Sequence, residues 1–154
     1  MLWIFDADDT LRRTTVPGQP CPHGPGEWEL LPGVPETFAR LDDAGDRLRI
    51  GIASNQDQVA YGLLTEATAH QLLAEMVAAA LGPRSADVCI RLCPHRAEDG
   101  CECRKPAAGM IRSIVEHFGA APEETVFVGN ADTDREAARR AGVRFAWASE
   151  FFGR

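Results

Sequence analysis

The sequence predicts an α/β fold: a three-layer sandwich in which a mostly parallel central sheet is covered on both faces by helices. Two observations predict it. Short apolar runs alternate along the chain with amphipathic stretches of helical length, and strands alternating with helices build parallel sheets buried on both sides. The runs also end in clusters of polar residues, and in such sheets sites collect where the strands finish. At 154 residues the chain suits one domain, 1–154, able to bury roughly 70% of its unfolded surface. A monomer is expected.

Taken in order, the buried strands are residues 2–5, 48–53, 88–92, 126–128 and 144–148. Between them, a helix is predicted from Val34 to Ala44 before Gly45, and another from a Thr65 cap to Leu81 before Gly82 and Pro83. Two more run from Ala108 to Phe118 and from Thr133 to Ala141, each stopped by a glycine. The stretch from Arg12 through Trp28, about residues 12–30, is rich in proline and glycine and too long for an ordinary connection. It reads as a functional flap, with Trp28 as its apolar anchor in preference to a stacking surface for a substrate ring.

Composition narrows the function. A formal charge of −7 argues against a nonspecific nucleic-acid coat, which needs a basic face. The apolar start Met1–Phe5 meets Asp6 at once, far short of the ~18 apolar residues of a membrane span. A cytoplasmic protein with no membrane partner is expected. Five cysteines is an odd number, and Cys93, Cys101 and Cys103 fall within eleven residues, which suits metal binding in a reducing compartment. Fifteen arginines accompany a single lysine, Lys105, a compact charge able to meet a phosphate oxygen and a carboxylate together.

Three strand ends and the loop before a helix carry the chemistry. The first gives Asp6-Ala-Asp8-Asp9-Thr10, three carboxylates whose crowding calls for a cation such as magnesium. Asp6 and Asp8, two residues apart, can point to one side, one to attack and the other to shuttle a proton. As a plain alternative, this acidic run only caps a helix. The second gives Ser54-Asn55-Gln56, a hydroxyl and two amides that can hold phosphate or merely form the turn. Lys105 follows in Cys101-Glu-Cys-Arg-Lys-Pro106, and the fourth strand ends Gly129-Asn130-Ala-Asp132-Thr-Asp134, a further cluster of oxygen donors.

In this order the motifs resemble those of the haloacid dehalogenase superfamily of phosphohydrolases, over nearly the whole chain. The resemblance implies a Rossmann-like sandwich, Asp6 as the nucleophile that becomes an aspartyl phosphate, and Asp8 as general acid and base. It implies phosphate binding by Ser54 and Lys105, with Asn55 beside them. Magnesium would be held by Asp6, the main-chain carbonyl of Asp8 and Asn130, with Asp132 or Asp134 able to compensate for the aspartate that the family usually has at position 130. Another departure is Asp9, where the family commonly has glycine.

Cys93-Pro-His95, five residues, then Cys101-Glu-Cys103 give four soft ligands in one loop, about 93–104, a pattern for structural zinc. With Arg104 and Lys105 directly after it, the loop resembles that of histidinol-phosphate and heptose 1,7-bisphosphate phosphatases, where it helps form the substrate pocket and sets the arm carrying Arg104 and Lys105. Only 43 residues separate Thr10 from Ser54, and 50 separate Ser54 from Lys105. Neither interval holds a separate cap domain. Cys21-Pro-His23 repeats the tripeptide without a second ligand pair.

The expected activity is magnesium-dependent hydrolysis of a phosphomonoester on a small phosphorylated metabolite, foremost a sugar phosphate such as D-glycero-D-manno-heptose 1,7-bisphosphate. Histidinol phosphate is the near alternative. A third is a polynucleotide 3′-phosphate, since Arg12-Arg13 and the closing Trp147-Ala-Ser-Glu-Phe-Phe152 faintly resemble that group. A zinc-stabilised binding module weakened by Asn130 is the non-enzymatic alternative.

Overall fold

The computed structural model describes residues 1–43, 45 and 47–154. Five parallel strands form the sheet: β1 (Leu2–Phe5), β4 (Leu48–Asn55), β5 (Ala86–Cys93), β6 (Thr125–Gly129) and β7 (Arg144–Trp147), in the spatial order β5-β4-β1-β6-β7. A small antiparallel hairpin, β2 (Arg12–Thr14) with β3 (Trp28–Leu30), forms the base of the 12–30 flap. Helices α1 (Val34–Phe38), α2 (Glu66–Leu81), α3 (Gly109–Phe118), α4 (Asp132–Ala141) and α5 (Ala148–Phe152) complete the chain.

The two-residue period of a strand explains the layering. Phe5, Ile50, Ile52 and Val128 point into a core shared with Val34 and Phe38 of α1, Leu73, Met76 and Val77 of α2 and Phe152 of α5. Leu2, Ile4, Ala53 and Phe127 point the other way, onto Met110, Ile111 and Ile114 of α3 and Ala137 and Ala138 of α4. Gly51 lies where α3 comes closest: a Cβ there would stand 2.6 Å from Ile114 Cγ2 and 3.2 Å from Ile4 Cγ1.

Helix α2 begins as predicted, its Thr65 hydroxyl accepting the backbone N–H of Thr68 at 3.0 Å. The helix predicted over Val34–Ala44 is shorter, ending at Phe38; Ala44 lies outside the described residues. Arg84 supplies the reason, since its guanidinium donates to the carbonyls of Phe38 and Leu41 at 2.7 and 2.8 Å and so satisfies acceptors that a longer helix would have used. Residue 148 belongs to α5 rather than to the last strand. Phe151 and Phe152 on that short helix pack on Phe5, with ring centroids 5.8 and 6.1 Å away, so the closing aromatic motif builds core. No described helix is long and apolar enough to cross a membrane.

Candidate active site

Because all five strands are parallel, the residues after β1, β4 and β6 and the end of β5 share one edge of the sheet. The turn after β1 folds tightly, with the N–H groups of Thr10, Leu11 and Arg12 reaching the Ala7 carbonyl at 3.2, 2.9 and 3.2 Å. Asp9 takes the left-handed conformation, φ 64°. Glycine, which has no Cβ, takes that conformation more readily.

Lys105 is the hub. Its Nζ lies 2.7 Å from Asp6 Oδ1, 2.7 Å from Asp134 Oδ1 and 2.8 Å from the Ala53 carbonyl, and its side chain is 3% exposed. All three hydrogens of the ammonium are thereby used. Burial pushes the Asp6 carboxyl up to about 6 against the pull of Lys105, and the neighbouring Asp134 charge adds to the rise. Burial alone would lower Lys105, but the two carboxylates outweigh it and hold the ammonium protonated.

At the end of β4 the three polar residues divide their tasks. Ser54 is buried, and its Oγ accepts from Gln56 Nε2 at 2.7 Å, which leaves the hydroxyl hydrogen free for another acceptor. Gln56 Nε2 also donates to Asp8 Oδ2 at 2.9 Å. Asn55, expected beside the phosphate, lines the cavity but spends both ends of its amide on the Lys105 backbone. Its Oδ1 accepts from Lys105 N at 3.0 Å and its Nδ2 donates to Lys105 O at 3.3 Å. It splices two strand-end loops together. Gln56 was the residue whose part the sequence did not reveal, since a buried amide after a strand carries no distinctive spacing.

At the end of β6, a Cβ on Gly129 would stand 2.5 Å from the Asp134 Cβ, so glycine lets α4 approach. Asp134 Oδ2 accepts from the N–H groups of Asn130 and Ala131 at 3.0 and 3.1 Å, fixing the turn that presents Asn130. Asn130 Oδ1 accepts from Thr10 Oγ1 at 3.3 Å, and the same hydroxyl lies 3.1 Å from Asp6 Oδ2. The oxygens of Asp6 and Asn130 are thus gathered around one threonine. Of the two carboxylates held in reserve for the metal, Asp132 has a side chain 84% exposed, pairs with Arg135 at 3.2 Å and does not line the cavity. Asp134 reaches the site, though Lys105 and the two backbone donors already occupy its oxygens.

Asp6, Asp8, Asn55, Lys105, Asn130 and Asp134 line a cavity of about 170 Å³. Oxygen donors from Asp6 and Asn130, set beside buried carboxylates, suit a hard divalent cation such as magnesium. Arg104 sits at the rim, its Nη1 3.5 Å from Asp57 Oδ2 and 3.3 Å from the His95 carbonyl. Cys21 is buried against the cavity, where burial pushes its thiol up to about 12. His23 Nε2 meets Gln58 Oε1 at 3.1 Å. Among the described residues neither Cys21 nor His23 joins a metal-ligand cluster. Trp28 packs on the core as the flap's anchor. Arg12 is fully buried, with Nε 2.9 Å from Asp8 Oδ1, so it does not offer its charge to a polynucleotide.

The four zinc-type ligands converge as their spacing implied. Cys93 Sγ, His95 Nδ1, Cys101 Sγ and Cys103 Sγ all lie within 4.8 Å of one another. The sulfur–sulfur separations of 3.6 and 3.5 Å approach the edge of about 3.8 Å that two zinc–sulfur bonds make in a tetrahedron, and the sulfur–nitrogen separations of 3.4 and 3.2 Å approach the shorter edge of about 3.6 Å made by one sulfur and one nitrogen ligand. Cys93 and Cys103, at 2.9 Å, would be spread slightly by a centred ion. Burial raises the Cys93 thiol well above its ordinary range. At Cys101 the opposing burial is outweighed by the backbone N–H of Arg104 and by hydrogen bonds from Cys103 and Cys93, which bring the thiol down to about 6. The Arg104 N–H lies 3.4 Å from that sulfur, an outer contact of the kind that orients a ligand.

The polynucleotide kinase 3 phosphatase family matches residues 1–152. The chain belongs to that family. Within it, the chain is similar to the D-glycero-β-D-manno-heptose-1,7-bisphosphate 7-phosphatase of Pseudomonas putida, 36% identical over 77% of this chain and 66% of that one. Its counterpart in Pseudomonas aeruginosa is 40% identical over 73% and 62%. The chain therefore spans slightly less than two thirds of the length of these curated relatives. Among solved structures, the D,D-heptose 1,7-bisphosphate phosphatase of Bordetella bronchiseptica, complexed with magnesium and phosphate, superposes with a TM-score of 0.77. It is 32% identical and covers 94% of this chain and 79% of that one. The architecture is the haloacid dehalogenase-like α/β fold.

Proposed function

We propose that this chain is a magnesium-dependent phosphomonoester hydrolase acting on a small phosphorylated metabolite, foremost a sugar phosphate such as heptose 1,7-bisphosphate. One observation carries the reading: Asp6, Lys105 and Asn130, drawn from separate loops at one edge of the sheet, meet around a single polar cavity, with Ser54 joined to the cavity residue Asp8 through Gln56. Asp6, the main-chain carbonyl of Asp8 and Asn130 would hold magnesium. When bound, the ion neutralises charge on the transferring phosphoryl group.

The side chains account for both half-reactions. A carboxylate oxygen of Asp6 bonds to phosphorus as the ester P–O bond breaks, and Asp8 gives the departing oxygen its proton. Asp8 then takes a proton from water, whose oxygen displaces Asp6 from phosphorus and releases phosphate. Ser54 directs its free hydrogen, and Lys105 its charge, at the phosphoryl oxygens. Lys105 also keeps Asp6 available as an anion despite burial. Asp134 takes a positioning part through Lys105 and the Asn130 turn. The Cys93, His95, Cys101 and Cys103 cluster would hold a structural zinc, since four protein ligands leave no open position.

The family match favours a second reading, removal of a 3′-phosphate from a polynucleotide end. A screen decides between them, with heptose bisphosphate anomers, histidinol phosphate and a 3′-phosphorylated oligonucleotide offered with magnesium. Asp6→Asn should abolish turnover of a generic aryl phosphate with the fold intact, and retained turnover overturns the nucleophile assignment.

A further inference from the structure

Asp8 is held in a way that neither the family match nor the zinc loop explains. Arg12 donates from Nε to Asp8 Oδ1 at 2.9 Å, with Nη2 3.5 Å from Oδ2, while Gln56 Nε2 donates to Oδ2 at 2.9 Å. Arg12 is 0% exposed and Gln56 1% exposed. Each also carries a cost, because Arg12 Nη1 and Gln56 Oε1 are buried without a protein partner. Burying a guanidinium and an amide incompletely paired is poor core design. Retaining both makes sense where the geometry they impose is needed.

We infer that Arg12 and Gln56 are positioning residues that clamp the Asp8 carboxylate so that one chosen oxygen trades protons with the substrate. The inference rests on the reading of Asp8 as general acid and base. A carboxylate offers about four lone-pair sites, two on each oxygen. Gln56 Nε2 and Arg12 Nη2 flank Oδ2, whereas Oδ1 meets only Arg12 Nε. The open lone pair is therefore on Oδ1. The 17% of the side chain that remains exposed belongs to a residue lining the cavity. Gln56 uses its second hydrogen on Ser54, so the proton carrier and the phosphate-holding hydroxyl are set by one rigid amide.

Positioning of a general acid has a signature that packing lacks. Breaking the P–O bond of an alkyl ester requires its oxygen to leave with the Asp8 proton, whereas a nitrophenolate leaves without one. Gln56→Leu and Arg12→Met should therefore lower the single-turnover rate of Asp6 phosphorylation by about 10- to 100-fold on an alkyl phosphate. On p-nitrophenyl phosphate the same rate should fall less than about threefold for Arg12→Met, while Gln56→Leu, which also releases Ser54, should add a loss common to both esters and still show the larger drop on the alkyl ester. Crystal structures of the variants should show Asp8 turned or split between rotamers on an unaltered sheet. Equal losses on the two esters, or an unmoved Asp8, overturn the inference while leaving the phosphatase reading in place. Should Arg12→Met not fold, the excess loss of Gln56→Leu on the alkyl ester over the aryl ester decides. A wild-type chain inactive on every phosphate ester, with magnesium supplied, overturns both.

Discussion

Lys105 Nζ lies 2.7 Å from Asp134 Oδ1, the same distance that it keeps from Asp6 Oδ1, so two buried carboxylates share one ammonium. Taking that ammonium away leaves them facing each other. Lys105→Met should cost about 3–5 kcal/mol of stability in metal-free protein, as breaking a buried pair generally does. Urea denaturation in EDTA measures this, and added magnesium should narrow the deficit.

Asn130 presents a neutral oxygen beside Asp6, joined to it through Thr10. Asn130→Asp adds a charge to the proposed ligand set and should tighten magnesium binding by about tenfold. Calorimetric titration reads it directly. Unchanged affinity would remove Asn130 from the set.

Purified protein should contain about one zinc per chain, by the four-ligand geometry. Cys101→Ser, or a chelator selective for zinc over magnesium, should lower the unfolding midpoint and also the activity, because Cys103 stands two residues before Lys105. Metal analysis and thermal melts test this together.

Asp9 has φ 64°, a conformation that costs a side-chain-bearing residue roughly 1–2 kcal/mol, against roughly 0.5–1 kcal/mol for the entropy of glycine. Asp9→Gly should stabilise the protein by about 0.5–1 kcal/mol, and Asp9→Ala should not. Equilibrium unfolding of the two variants side by side separates backbone relief from simple loss of the carboxylate.

The strands, α2, α3 and α4 were legible because their apolar periods and terminal glycines are local signals. So were the strand-end motifs and the zinc quartet, whose spacing is short. What the chain concealed depends on distant partners. Arg84 stops α1 from 46 residues away, and the Asn55 amide binds the backbone of a residue 50 positions on. Arg12, suggestive in sequence of an exposed basic pair, is drawn inward by Asp8. The hairpin strands and α5 were missed because three and five residues carry too little periodicity to be seen.

Arg12 opens β2, the first strand of the flap, and in the same place grips Asp8. The covering hairpin is consequently not an interchangeable module. Transplanting another protein's hairpin with a different residue at its root would disturb the Asp8 carboxylate that the root grips, whereas its outer tip, residues 15–27, meets the cavity through Pro20 and Cys21. New specificities in this lineage should therefore arise by rewriting the tip and leaving the root alone.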